Sequence, residues 1–330
     1  MRKYITGLII IAAAVTGYVI SYPVFKQNRQ PATHNAAGNV GGEVTQFPKA
    51  FTAVVFDNHP DARLQFGLST ASIVFETFAE GGSTRILGLF DDRADAAKIG
   101  PVRSARPYFV DWAYGAGIAL AHSGGSIEGL NKIASLGSAF HDINEFFAEH
   151  YFWRDRARRV PHNLFTSTAL LKNYFGSKNW ELASGQFGWS IDPEPASGLP
   201  ATNEILVDFS YPQFAARFVY DPGQNNYLRY LGGKADKDGA NGAQIRAGSV
   251  VVLYTTSTVI DKNLLTVDMV TSGTGRAVVF TGGKVLQARW QKSGSAAPLK
   301  LLDADNSVIK LNPGQTWVEV LDQTGTAVWK

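Results

Sequence analysis

The sequence predicts an α/β or α+β domain followed by a predominantly antiparallel β domain, the pair carried behind an N-terminal transmembrane helix. Three observations predict this. Residues 4–25, YITGLIIIAAAVTGYVISYPVF, hold no charge, and at about 1.5 Å of helical rise per residue such a run can cross a hydrocarbon core. Residues 51–175 mix short β-branched and aromatic runs with helical stretches, the pattern of layered α/β or α+β packing. Beyond residue 201 nearly every apolar run is strand-length and bounded by Gly, Pro, Asn or Asp, as hairpin-connected strands are.

In chain order, Met1-Arg2-Lys3 precede the apolar run and Lys26 and Arg29 come after it, so flanking positive charge orients it poorly. Ala12, Ala13 and Ala14 lie inside the run and no A-x-A site comes after it, which favours an uncleaved signal-anchor over residues 1–26 rather than a cleaved signal peptide. Residues 27–46 are polar and small, a flexible linker in which His34 has no evident role. The α/β domain is expected over 47–190, with strands at Phe51–Asp57, Ser72–Thr77, Thr84–Phe90 and Gly117–Ala121. A helix is expected over Ser126–Leu136, with Ser126 as its N-cap and Ile127, Leu130 and Ala134 on its buried face. Pro193, Pro195, Gly198 and Pro200 mark a boundary. The β-rich domain then runs over 201–325, with strands at Phe214–Tyr220, Tyr227–Leu231, Ser249–Thr255, Leu264–Thr271, Gly275–Phe280 and Trp317–Leu321. Asp221-Pro222-Gly223, Gly282-Gly283 and Asn312-Pro313-Gly314 supply turns. No internal repeat is evident.

Composition narrows the function classes. With 31 basic and 28 acidic residues and a net charge of +3, no large one-signed field exists, which argues against nucleic acid as a partner. The absence of cysteine excludes disulfides, thiolate metal sites, a Cys nucleophile and a lipidated N-terminal Cys. No cofactor motif is legible, so no cofactor is expected.

Three stretches can carry chemistry. The strand Gly117–Ala121 runs into His122-Ser123-Gly124-Gly125-Ser126 and then a helix; a glycine-rich turn at a helix start offers backbone N–H groups and a positive dipole end to an anion. It is neither a P-loop nor a G-x-S-x-G elbow, and a plain strand-to-helix turn capped by Ser126 explains it equally well. Arg85, Arg103 and Arg106 form a second set, the latter two behind the rigid Gly100-Pro101. They suit a guanidinium clamp on carboxylate or phosphate, or equally a structural salt bridge to Glu76 or Glu80. In the third, Pro161-His162-Asn163 comes after Arg154, Arg156, Arg158 and Arg159. His162 can serve in acid-base work with Glu76 or Glu80, with Ser123 as the least unsuitable nucleophile, or it can satisfy backbone groups in a loop, as can His59. His141 and His150 lie among Asp142, Glu145 and Glu149 without tight ligand spacing, so no metal is expected. Asp236-Lys237-Asp238-Gly239 has half the acids of a calcium loop and reads better as a polar hairpin turn.

AVVFDNHPDAR (53–63), GLSTASIVFETFAEGGSTRILGLF (67–90), KIGPVRSARPYFVDWA (98–113), AHSGGS (121–126) and VPHNLFTS (160–167) together resemble the YerB-like bacterial family, a domain of unknown function. TGGKVLQARWQKSG (281–294) and IKLNPGQTWVEVL (309–321) resemble that family's separate C-terminal domain. The resemblance implies a place at the cell envelope and no reaction, and it transfers no catalytic residues. Family members are commonly lipoproteins or single-span proteins; without a lipobox cysteine, residues 4–25 must do the anchoring here. The expected function is therefore an extracytoplasmic, membrane-anchored module binding an anionic glycan, peptide or wall-precursor group through Arg85, Arg103, Arg106, Asn163 and the His122–Ser126 turn. The alternatives are an envelope hydrolase or transferase using a Glu/His pair, and an adaptor for an envelope protein partner that would need Trp290 and Trp317 as exposed anchors, although tryptophans more commonly lie in the core.

Overall fold

The computed structural model describes residues 45–46, 50–181, 185–192, 202–262 and 266–330. The expected membrane helix lies outside them, as does the expected linker except for Thr45 and Gln46. Those two pair antiparallel with Gln186–Phe187, so the end of the expected linker is fastened to the body. No described helix is long and apolar enough to cross a membrane.

Fourteen of the described strands are labelled in chain order: β1 Ala50–Asp57, β2 Ile73–Phe78, β3 Thr84–Asp91, β4 Ala119–His122, β5 Asp142–Asn144, β6 Glu204–Asp208, β7 Ala216–Asp221, β8 Asn226–Leu231, β9 Ser249–Tyr254, β10 Gly273–Thr281, β11 Lys284–Lys292, β12 Lys300–Leu302, β13 Thr316–Leu321 and β14 Thr326–Trp329. The helices are α1 Pro107–Gly115, α2 Ile127–Leu136 and α3 Thr168–Lys178. Among the described residues, ten strands form one mixed sheet in the order β12-β11-β10-β9-β13-β2-β3-β1-β4-β5. A second, antiparallel sheet is built on β8-β7-β6-β14.

The mixed sheet crosses the sequence boundary expected near 193–200. β13 pairs in parallel with β2, setting Glu319 beside Glu76, and with β9 on its other side. The α/β part and the β-rich part thus share one sheet, and Gly41–Lys330 is one compact unit. The physical reason lies in β2 and β13, IVFETF and TWVEVL, which are buried at every position. Strands apolar on both faces need cover on both sides and neighbours on both edges. By contrast β7 and β8, ARFVYD and NYLRYL, alternate strictly between buried and half-buried positions, the mark of a sheet with one face on the core. The β10–β11 hairpin turns at Gly282 and Gly283, both at positive φ, as two-residue hairpin turns require.

α1, PYFVDWAYG, is buried at all but one position; a helix apolar on every side belongs inside. Its Trp112 stacks on Phe75 of β2 at 4.8 Å. α2 starts where expected, with Ser126 Oγ accepting from the Gly129 N–H. Its expected buried face is wrong. Ile127 is 75% exposed and Leu130 38%, and Ala134 is exposed as well. Gly129 is the buried position, packed against the backbone of Ala105 and Arg106, while Ile133 and Leu136 touch the core. Close backbone approach, rather than an apolar stripe, fixes how this helix lies.

β1, β4 and β5 run parallel, so Asp57, Ser123 and Glu145 emerge at one edge of the sheet. β4 ends before β1 does, and residues 101–105 occupy the gap. Asp57 N–H donates to Pro101 O and Arg103 N–H to Val55 O, while Ser123 N–H donates to Arg103 O and Ala105 N–H to Gly124 O. This inserted segment decides the fate of both the glycine-rich turn and Arg103.

Candidate functional site

Most of the sequence-predicted site residues are consumed by one another. Glu80 binds Arg85 and Arg106, each at 2.5 Å. Burial alone would raise the Glu80 carboxyl, but the two guanidiniums hold it down at about 2. Arg85 also donates to Ser104 O and Arg106 to Ala105 O. Both arginines are almost fully buried, so neither is available as a ligand clamp. Glu76 is fully buried beneath the second sheet. It accepts from Asn58 Nδ2 at 2.8 Å and Thr84 Oγ1 at 2.6 Å, and it pairs with Arg229 of β8, which also binds Asp236 and lies over Trp317. Glu319 completes this group without a hydrogen-bond partner on either oxygen among the described residues, and burial, together with the neighbouring Glu76 charge, pushes its carboxyl well up. The expected Glu76 or Glu80 partnership with His162 does not form.

The glycine-rich turn is likewise closed. His122 is wholly buried, with Nδ1 2.6 Å from Gly124 O and Nε2 2.6 Å from Asp142 Oδ1. The N–H groups of Ser123, Gly124 and Ser126 donate to Arg103 O, Asn144 Oδ1 and Ala105 O, and Gly125 bridges to Ala105. Gly124 is at φ +60°, and a Cβ there would lie 2.8 Å from the Phe146 ring. Glycine serves close packing here rather than anion binding.

His162 is different. Its Nδ1 lies 2.7 Å from Asp57 Oδ2, and its other nitrogen has no partner among the described residues. Asp57, at the end of β1, is the residue that sequence reasoning missed; it also accepts from the His59 N–H at 3.0 Å. Arg103 Nε lies 2.8 Å from Asp57 Oδ2, a close ion pair not aligned as a hydrogen bond. The His59 and His162 rings stack in parallel, 5.1 Å apart. A carboxylate on Nδ1 fixes the imidazole tautomer and leaves Nε2 as the acceptor, the arrangement of a general base or a metal ligand. The signal that could have found this pair is the DNH tripeptide at the end of a buried strand.

Around this pair, Ser123 Oγ donates to Glu145 Oε2 at 3.0 Å, and Arg154 donates to Glu145 Oε1 at 3.1 Å and to Asn163 Oδ1 at 3.4 Å. Asn163 is itself buried, so it supports Arg154 rather than facing a ligand. Arg154, Arg156 and Arg159 are exposed on the same loop, the last two without an ion pair among the described residues. The result is a polar cluster at the carboxyl ends of parallel strands, the end at which open α/β sheets place their ligands, with exposed arginines on the adjoining loop.

Other expectations resolve elsewhere. His141 stacks on Trp180 at 4.1 Å and His150 is exposed beside Glu149. Asp238 accepts from the Gly67 and Ser69 N–H groups, a structural tie between loops rather than a calcium ligand. Trp290 and Trp317 are core residues, not exposed anchors.

Comparison with known proteins gives a consistent picture. Residues 38–181 match the family described as "Protein of unknown function (DUF3048) N-terminal domain", and residues 205–318 match its C-terminal domain. The chain is 29% identical over 279 residues to "Putative lipoprotein YerB" of Bacillus subtilis, covering 83% of this chain and 82% of the relative. The crystal structure of YerB protein from Bacillus subtilis superposes with a TM-score of 0.74 at 26% identity, over 84% of this chain and 93% of that one.

Proposed function

Since the chain belongs to the YerB-like DUF3048 family, with both family domains present, we propose that it is a membrane-anchored extracytoplasmic envelope module that binds an anionic, wall-related ligand at the polar cluster around Asp57. The observation that carries this is the convergence of Arg103 and His162 on Asp57 at the parallel strand ends, beside the exposed Arg154, Arg156 and Arg159. Exposed arginine forks beside a polar cluster suit phosphate or carboxylate oxygens. The envelope location is supported by the relative whose name describes a lipoprotein. As this chain has no cysteine, the uncharged segment 4–25 takes the anchoring role as a single span.

A second reading, an adaptor for an envelope protein, is favoured by one feature. Ile127, Phe146 and Phe147 are 75%, 67% and 85% exposed, and Phe146 lies against Gly124, one residue from Ser123, whose N–H donates to Arg103 O. Exposed aromatic side chains beside a polar site suit a protein partner.

The test is a thermal-shift screen of the full chain in detergent against wall fragments, lipid-linked precursor head groups and polyphosphate, beside an Arg156→Ala/Arg159→Ala variant. A ligand preferring the folded state raises the melting temperature by mass action. A shift that shrinks in the variant supports anion binding at the exposed arginines. No shift with any anion, or one indifferent to these arginines, rejects it.

A further inference from the structure

His59 and Asp61 lie on the loop that leaves β1, and His162 comes from a loop about a hundred residues away in sequence. One ligand atom from each of the three lies within 4.8 Å of the other two. Two imidazoles and one carboxylate are a donor set for a divalent first-row metal, as in catalytic zinc sites with three protein ligands and in facial-triad iron sites.

Two further features separate this group from a chance surface cluster. His162 offers Nε2 because Asp57 holds its Nδ1 at 2.7 Å, and Asp57 is itself buried. Ligating histidines characteristically donate their second nitrogen to a carboxylate of this kind, which sets ring orientation and raises donor strength. The two loops are also fastened together. Arg158 Nε donates to His162 O at 3.2 Å, while its Nη2 donates to Ala62 O at 2.5 Å and Nη1 to Leu64 O at 3.2 Å. One guanidinium thus spans from the backbone of one ligand to the residues just after the other two. His59 is half-exposed and its Nδ1 accepts only a 3.2 Å bond from the Asp61 N–H, so ligation gives up one weak turn bond.

We propose that His59, Asp61 and His162 form a binding site for a divalent first-row transition metal, tested first with zinc, in which Asp57 is a positioning residue. Three protein ligands leave at least one coordination position for water or for an anionic oxygen. The site stands without the anion-binding reading, because zinc alone is the probe.

The experiment is competition for zinc between the full-length, metal-stripped protein in detergent and a chromophoric chelator. Cobalt substitution, read by visible absorption, serves as a second measure of tetrahedral ligation. One equivalent of zinc is expected in wild type. His59→Ala and His162→Ala should each weaken binding at least about 10-fold, and Asp57→Asn should weaken it about 10- to 100-fold while keeping the stoichiometry. His150→Ala, which removes an exposed histidine beside Glu149 elsewhere on the surface, should change nothing. The half-exposed His59 keeps the test decisive if the His162 variant fails to fold. Wild type that takes up no zinc, or zinc uptake unchanged in His59→Ala, overturns the proposal.

Discussion

His122 and His162 each sit against a carboxylate at the same edge of the main sheet, yet their surroundings differ. Both ring nitrogens of His122 are engaged, by Gly124 O and Asp142, and water does not reach its side chain. His162 is engaged through Nδ1 alone, and its side chain keeps 12% exposure. The same contrast separates the arginines: Arg85 and Arg106 are closed on Glu80, whereas Arg156 and Arg159 face solvent. A polar cluster whose donors and acceptors are all matched holds the fold together. One that leaves a lone pair or a guanidinium unmatched at the surface has capacity for a ligand.

Breaking a closed cluster should therefore cost stability. His122→Ala leaves Gly124 O and Asp142 without their partner and should destabilise by about 3 kcal/mol in chemical denaturation. His162→Ala should cost about 1 kcal/mol or less, because Asp57 keeps Arg103 and the His59 N–H. Equal losses from the two substitutions would erase the distinction.

Glu80→Gln should cost about 2 kcal/mol, the buried-pair figure reduced because water reaches a third of the Glu80 side chain. The pH dependence has a definite sign. Glu80 falls from its ordinary 4.5 to about 2 on folding, so its contribution is complete above about 4.5 and disappears as pH falls toward 2. The acid limb of a stability profile should accordingly be shallower in Glu80→Gln than in wild type.

Glu319 has the opposite sign. Folding raises its carboxyl above 4.5, so the folded state holds a proton that the unfolded chain has released, and stability falls as pH rises above 4.5. Glu319→Gln, neutral at every pH, should stabilise by about 1 kcal/mol at pH 8 and by less at pH 4. The smallest stability change belongs to Arg156→Ala/Arg159→Ala, within about 0.5 kcal/mol, since the effect of these residues should appear in ligand binding.

The residues reveal local structure well and its assembly poorly. β1, β2 and β3 are legible because their apolar runs are strand-length and interrupted by polar breakers, and the start of α2 is legible because Ser126 can cap only a helix that begins after it. The face of α2 is not, since it rests on a glycine meeting the backbone of residues 105 and 106, and hydrophobic periodicity does not record a missing side chain. The pairing of β13 with β2 and the Arg229–Glu76 contact, 153 residues apart, depend on chain topology that no local pattern encodes. The candidate site residues do bear chemistry, but their expected partners are wrong for the same reason. His162 finds Asp57, 105 residues away, while Glu80 takes the two arginines first because a guanidinium as buried as theirs needs a carboxylate partner.

If the ligand binds at the Asp57–His162 cluster, the His122–Ser126 turn is structural and the two places respond differently to substitution. The most direct test compares ligand-induced thermal shifts in wild type, His162→Ala and Ser126→Ala, using whichever anionic wall fragment or polyphosphate stabilises the wild-type chain. The shift should vanish in His162→Ala, with its intrinsic melting temperature nearly kept, and persist in Ser126→Ala despite a lowered baseline. A shift that survives in His162→Ala and disappears in Ser126→Ala would contradict it and return the site to the glycine-rich turn.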